Sequence, residues 1–250
     1  MVGNPTAERL QLTGVAEALL LTLVMPAYNE EATIGDVVVG WDDALGALDV
    51  PYELRIYDDG SRDATGPLLE RVARERPRVV AVRQANAGHG PTILRGYHEA
   101  RGEWVFQVDS DDEMRPEAFP ALWSRRDGAD LVLGYRTGRS APIGRRIITA
   151  IAGSTVRLLF GRRVHDVNTP FRLYRRSALT RLLAMVPAET FAPNVILTGL
   201  ALRAGLRVVE VPVPHHIRRA GTSSIVRWRL WRAAARSFAQ TLGAAWRARG

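Results

Sequence analysis

Three acidic clusters hold the residues of this chain best suited to chemistry: Asn29-Glu30-Glu31, Asp58-Asp59 and the run from Asp109 to Glu113. Each stands directly after a short apolar run. A single acid in such a place makes a turn or caps a helix. Three of them at successive strand ends ask for a further explanation. Asp109 and Asp111 lie one residue apart, so in an extended segment their carboxylates point the same way. Two carboxylates on one side form a hard-oxygen site for Mg²⁺ or Mn²⁺ bridging a diphosphate. Without a cation their like charges would repel. The balancing charge comes from arginine alone: all 34 Lys+Arg positions are arginine, against 26 acids, for a net charge of +8. Guanidinium is suited to bidentate phosphate and carboxylate recognition. The missing lysine excludes a Schiff base and a phosphate-loop ammonium. With Cys 0, a disulfide framework and thiolate metal sites are excluded too.

The elements that must carry these residues follow from hydrophobic period and turn signals. Strands are expected over 19–25, 52–57, 78–82 and 103–108, with helices over 29–48, 63–75 and 91–100 between them. A Gly-rich loop, Asn86-Ala87-Gly88-His89-Gly90, precedes the third helix. Such alternation predicts an α/β fold with a mostly parallel central sheet. In open sheets of this kind ligands collect beyond the carboxyl ends of the strands, where all three clusters fall. Farther on, strands are expected over 130–135, 171–174 and 207–213, and helices over 144–160, 193–204 and 223–246. The chain divides into a loose leader (1–17), one catalytic-type domain (18–222) and a basic amphipathic tail helix (223–250). The apolar run 18–27 is about half the length a bilayer crossing needs and lacks the features of a signal peptide. A cytoplasmic protein is expected.

The segments VMPAYNEEATI, YDDGSRDAT, NAGHGPTILRG and QVDSDDEMRPE, in this order, resemble glycosyltransferase family 2 with its Rossmann-like GT-A fold. Later segments, DVNTPFRLYRRSAL and HHIRRAGTSS among them, are most similar to the polyprenyl-phosphate sugar transferases of the dolichol-phosphate mannose synthase type. The resemblance implies a nucleoside pocket formed by Pro26, Ala27, Tyr28, Glu30, Asp58, Asp59, Gly88, Asp109 and Ser110, with Asp59 on the base. It implies Asp109, Asp111 and Glu113 as metal ligands, Glu113 standing where that branch has Gln. Arg136, Arg145, Arg146, Arg218 and Ser223 would hold the donor diphosphate and the acceptor phosphate. The catalytic set would be Asp111, Arg136 and Arg218, with Asp166 or Glu189 as base if the acceptor is a hydroxyl.

The implied reaction is inverting transfer from a UDP- or GDP-linked sugar. A divalent ion and arginines stabilise the negative charge that develops on the leaving diphosphate. An alcohol acceptor needs a general base, ordinarily a carboxylate before a late helix, and 191–195 (FAPNV) holds none. An acceptor phosphate is already ionised. This favours polyprenyl phosphate over the alternative, a hydroxyl of a saccharide or small metabolite. The tail residues Trp228, Trp231, Arg229, Arg232 and Arg236 could pack on the domain or lie on an anionic membrane. A non-catalytic basic protein on nucleic acid or membrane leaves the acid clusters unexplained, and no nucleic-acid partner is expected. His89 reads as a loop residue, His215 and His216 beside Arg218 and Arg219 either as phosphate contacts or as an exposed basic loop, and Trp41, Trp104 and Trp123 as packing residues.

Overall fold

The computed structural model of the chain describes residues 19–137 and 164–216. Outside them lie the leader 1–17, the helices expected over 144–160 and 223–246, and four expected phosphate-site residues: Arg145, Arg146, Arg218 and Ser223.

The described residues form a seven-stranded sheet: β1 (Leu21–Ala27), β2 (Tyr52–Asp58), β3 (Val79–Arg83), β4 (Trp104–Gln107), β5 (Leu131–Thr137), β6 (Arg172–Arg175) and β7 (Val208–Pro214). The strand order is β3-β2-β1-β4-β6-β5-β7. All neighbouring pairs are parallel except those of β6, which runs antiparallel to both β4 and β5. The expected mostly parallel α/β sheet is present. Helices α1 (Ile34–Gly46), α2 (Thr65–Glu75) and α3 (His89–Glu99) alternate with the first four strands. A short 3₁₀ turn (Pro116–Ala118) leads into α4 (Phe119–Trp123), followed later by α5 (Arg176–Leu183) and α6 (Pro193–Arg203). α4 is too short to show a clear helical period, whereas α5 buries Ala178, Leu179, Leu182 and Leu183 along one face.

Alternation along each strand builds two cores. Leu21, Leu23 and Met25 of β1 face α1 and α2, whereas Val24 faces α3. The first core closes around aromatic rings: Phe106 lies 5.3 Å from Trp41, 4.5 Å from Phe119 and 4.9 Å from Phe171, centroid to centroid. One ring cluster thereby joins α1, β4, α4 and the start of β6. Trp41, Trp104 and Trp123 are buried, as packing residues should be. Among the described residues no helix is long and apolar enough to cross a membrane.

Two boundaries differ from expectation for stated reasons. The first helix begins at Ile34 rather than near Asn29, because Asn29 takes a left-handed conformation (φ 53°). The freed amides turn to the next loop instead: Glu30 N–H donates to Thr65 Oγ1 at 2.8 Å and Asn29 N–H to Ser61 Oγ at 3.0 Å. α3 starts at His89, two residues early, because proline is tolerated in a helix's first turn.

Burial raises four tyrosines in these cores. Tyr57 is pushed up to about 12 by burial and the charge of Glu99, against the opposing pull of Arg55. Burial also raises Tyr52, Tyr97 and Tyr174. A raised folded value means that stability is complete below the ordinary tyrosine value of 10.0 and falls as pH climbs toward the folded values. Denaturant titrations between pH 9 and about 12 should show that loss, with tyrosinate absorbance from these four rings appearing only as the chain unfolds. Tyr57→Phe should flatten the slope.

Candidate active site

The sheet order reverses direction between β1 and β4, and the crevice beyond the carboxyl ends of those strands is the topological switch point where such folds bind ligands. The β1, β2 and β4 ends deliver the three acidic clusters to it.

The β1 and β2 ends are laced into one wall. Besides the bonds from Asn29 and Glu30, Arg62 N–H donates to Asn29 Oδ1 at 2.9 Å, and Ala64 N–H to Glu31 Oε2 at 2.9 Å. Asp59 N–H donates to the Ala27 carbonyl at 2.9 Å. Pro26 and Ala27 are buried in β1, whereas the Tyr28 ring is exposed at the rim. Asp58 is buried; its Oδ1 accepts from Ser61 N–H at 2.9 Å, and Arg83 Nε stands 3.6 Å from Oδ2.

Asp59 is the organiser of the glycine loop. Its carboxylate accepts from Ala87 N–H at 2.8 Å, Gly88 N–H at 2.9 Å and Gln84 Nε2 at 2.7 Å. Asn86 Nδ2 adds a bond to the Asp59 carbonyl at 2.8 Å. The loop needs glycine at two places. Gly88 holds φ 91°, and a Cβ at Gly90 would overlap the carbonyls of Thr190 and Phe191. α3 is therefore docked by backbone on the segment leading into α6.

The opposite wall comes from β4, β5 and β7. Gln107 Nε2 donates to Asp109 Oδ1 at 3.2 Å, Ser110 is buried, and Glu113 N–H donates to Asp111 Oδ1 at 3.1 Å. Arg136, near the end of β5, forks onto Asp166: Nε to Oδ2 at 2.6 Å and Nη2 to Oδ1 at 3.1 Å, with both side chains about nine-tenths buried. Burial works against the Arg136 charge. The bonds and charge of Asp166, joined by the charges of Asp109 and Glu113, outweigh it and raise the guanidinium above the ordinary arginine value.

Placement redefines several expected roles. Asp166, a candidate base, has both oxygens engaged by a guanidinium, which makes it the residue that orients Arg136. Arg136 in turn gives two of its N–H edges to protein before any phosphate. Glu113 is not a free ligand either: His215 Nε2 stands 3.0 Å from its Oε2, and His216 N–H donates to its carbonyl at 2.9 Å. The expected triad Asp109, Asp111 and Glu113 does not gather into a cage. Among the described residues no three His, Asp or Glu side chains form a group able to hold a metal ion by themselves. One or two carboxylates remain. That is the donor set of a cation whose shell is completed by substrate phosphates and water, as Mg²⁺ commonly is.

Two histidines stand at this wall. The pairing of His215 with Glu113 has no local signal in the sequence, because the two are 102 residues apart. His89 opens α3 with Nε2 3.6 Å from Asp109 Oδ1, beside the same crevice.

An open α/β sheet with acids and an oriented arginine at its switch point defines a nucleotide-binding class of fold. The family model for glycosyl transferase family 2 matches residues 22–183, and the chain belongs to that family. It is 33% identical over 214 residues to an undecaprenyl-phosphate 4-deoxy-4-formamido-L-arabinose transferase of Pseudomonas paraeruginosa, covering 84% of this chain and 62% of the relative. The corresponding Klebsiella pneumoniae transferase is 31% identical, with 81% and 62% covered. The chain thus spans about three-fifths of the length of these relatives. Among solved structures, glucosyl-3-phosphoglycerate synthase from Mycobacterium tuberculosis, in complex with Mn²⁺, uridine diphosphate and phosphoglyceric acid, superposes with a TM-score of 0.67 at 23% identity, covering 91% of this chain and 78% of that one. Staphylococcus aureus TarS gives 0.54 at 20% identity, with 77% and 58% covered. These likenesses establish the GT-A fold.

Asp166→Asn tests the pair at the centre of the far wall. Removing one partner of a buried ion pair leaves an uncompensated charge, so unfolding free energy in denaturant should drop by about 3–5 kcal/mol. A base exposed to substrate would lose activity with little change in stability.

Proposed function

We propose that the chain is a divalent-metal-dependent, inverting glycosyltransferase that moves a sugar from a nucleoside diphosphate donor to polyprenyl phosphate. The observation that carries this reading is the buried Arg136, oriented by Asp166 and subject to the charges of Asp109 and Glu113, together with the Asp59-organised loop on the same sheet. Named relatives that act on undecaprenyl phosphate support the acceptor.

In this reading the β1 and β2 wall, with Tyr28, Glu30, Asp58, Asp59 and Gly88, binds the nucleoside. Asp59 acts chiefly by setting the loop that receives it. Asp111, assisted by Asp109, holds a Mg²⁺ or Mn²⁺ ion, which when bound supplies positive charge to the diphosphate. Arg136 presents its remaining N–H groups where negative charge grows during departure of the nucleoside diphosphate, and Asp166 fixes their direction before the reaction begins. Arg145, Arg146, Arg218 and Ser223 belong to the phosphate-binding set by sequence. The missing base fits the acceptor. Asn194 in the first turn of α6 stands where a carboxylate would serve an alcohol, and its amide is buried and bonded to Gln107 at 3.0 Å. A phosphate oxygen attacks without losing a proton. The sequence 223–250, with its tryptophans and arginines, gives a peripheral contact to an anionic membrane face.

The test uses radiolabelled UDP- and GDP-sugars with polyprenyl phosphate in detergent, with and without Mn²⁺. Label should appear in an organic-phase product with one nucleotide series, and Asp111→Asn should lower kcat by about a hundredfold or more. Label confined to a water-soluble product would overturn the lipid acceptor. A chain indifferent to every nucleotide would overturn the enzyme.

A further inference from the structure

The least expected side chain in the interior is Arg172, the first residue of β6. It is fully buried, and among the described residues it forms no ion pair with a carboxylate. A buried guanidinium is tolerated only when its N–H groups are bonded. Here they are spent on two separate pieces of the site. Nε donates to the Thr169 carbonyl at 2.8 Å and Nη2 to the Val167 carbonyl at 3.2 Å. Nη1 reaches Tyr174 Oη at 2.9 Å, the Asn194 carbonyl at 3.1 Å and Thr198 Oγ1 at 3.3 Å.

Each group leads to a working residue. The carbonyls of Val167 and Thr169 belong to the segment that carries Asp166, and Asp166 aims Arg136. Asn194 leads the other way: its Nδ2 donates to Gln107 Oε1 at 3.0 Å, Tyr97 Oη donates to the same oxygen at 2.8 Å, and Gln107 Nε2 donates to Asp109 Oδ1. With Gln107 Oε1 occupied by two donors, its amide group is committed to one orientation and must present N–H to Asp109. Burial holds the Tyr97 hydroxyl neutral well above its ordinary range; the charge of Asp109 adds to that effect and the charge of Arg172 opposes it.

We propose that Arg172 is a positioning residue: one buried, forked cation that fixes Asp109, through Asn194 and Gln107, and Arg136, through the 166–169 segment. Lysine carries the same charge but is a point donor on a flexible stem and cannot hold carbonyls on two sides at once. The geometry therefore requires the fork and not only the charge. The proposal rests on the reading of Asp109 and Arg136 as diphosphate-site residues for its catalytic half. Its structural half stands on the bonds alone.

The test is Arg172→Lys in the full chain, read first without ligand by backbone hydrogen exchange. Exchange should rise about tenfold in 107–113 and in 164–171, while 52–61 and 84–88, held through Asp59, change by less than about twofold. Loss confined to 164–174 and 193–198 would overturn the link to Asp109. A uniform loss over the whole chain would make Arg172 an ordinary core residue, and no loss would dismiss it. With the labelled donor, kcat should fall about tenfold while donor KM moves less than about threefold, since the nucleoside wall is untouched. Equal changes in both would overturn the positioning role. If Arg172→Lys does not fold, Tyr174→Phe removes one Nη1 acceptor and should give the same exchange pattern at about threefold; an unchanged pattern there overturns the proposal. Should the wild-type chain bind no nucleotide, the functional reading fails, whereas the exchange experiment still decides the link.

Discussion

Crowding of negative charge at one edge of the sheet is the constraint that shapes the rest of this molecule. Two like charges 4 Å apart repel by about 4 kcal/mol at the effective dielectric of a protein surface. A single charge-assisted hydrogen bond returns about 1.5–3 kcal/mol. One donor per carboxylate is therefore not enough, and the structure supplies donors in groups. Asp59 takes three, from Gln84, Ala87 and Gly88. Asp166 takes the fork of Arg136, and Glu113 is paired with His215. Asp109 has a weaker tether, one amide at 3.2 Å and a histidine at 3.6 Å, and it remains partly exposed. Asp109 is thus loosely held, and a bound cation would supply charge that these two contacts do not.

This arrangement explains the division of labour between the two walls. The wall formed by the β1 and β2 ends is held by bonds between neighbouring loops, in which backbone amides are the main donors. The far side is assembled from β4, β5, the 166–169 segment and β7, which are distant in sequence, so it has to be joined by side chains through the interior. The antiparallel β6 makes this possible. Set between β4 and β5, it pairs Arg172 with Gln107 on one side and Leu133 on the other. A hydrophobic residue there would pack, but it could not specify the orientation of an amide and two carbonyls.

What could be read from the chain divides along the same line. The strand-end acids, the glycine loop and the first four strands were legible because each is a local pattern: an apolar run, a turn signature and a polar cluster within about ten residues. The first helix was misplaced only where Asn29 and Glu30 bond to another loop, which no periodicity reports. Roles on the far wall were illegible for a stronger reason. Asp166 is paired with Arg136 and Glu113 with His215, partners 30 and 102 residues away, which no local pattern announces. The signal that was present is the polar residue inside an apolar run: Gln107 in WVFQV, Arg172 in FRLY and Asn194 in PNVIL. Such residues are costly to bury and are kept only where every bond is made.

The arginine-only composition takes on a more exact meaning in this setting. As a bulk charge of +8 it suggested an acidic partner. Inside the structure the two guanidiniums that matter most, Arg136 and Arg172, are buried and turned inward, one onto a carboxylate and the other onto carbonyls and hydroxyls. Neither contributes much to an external field. Both depend on planar, multi-directional donation that an ammonium lacks. The absence of lysine therefore costs these two positions nothing: what their partners require is fixed direction, and direction is what a buried fork supplies.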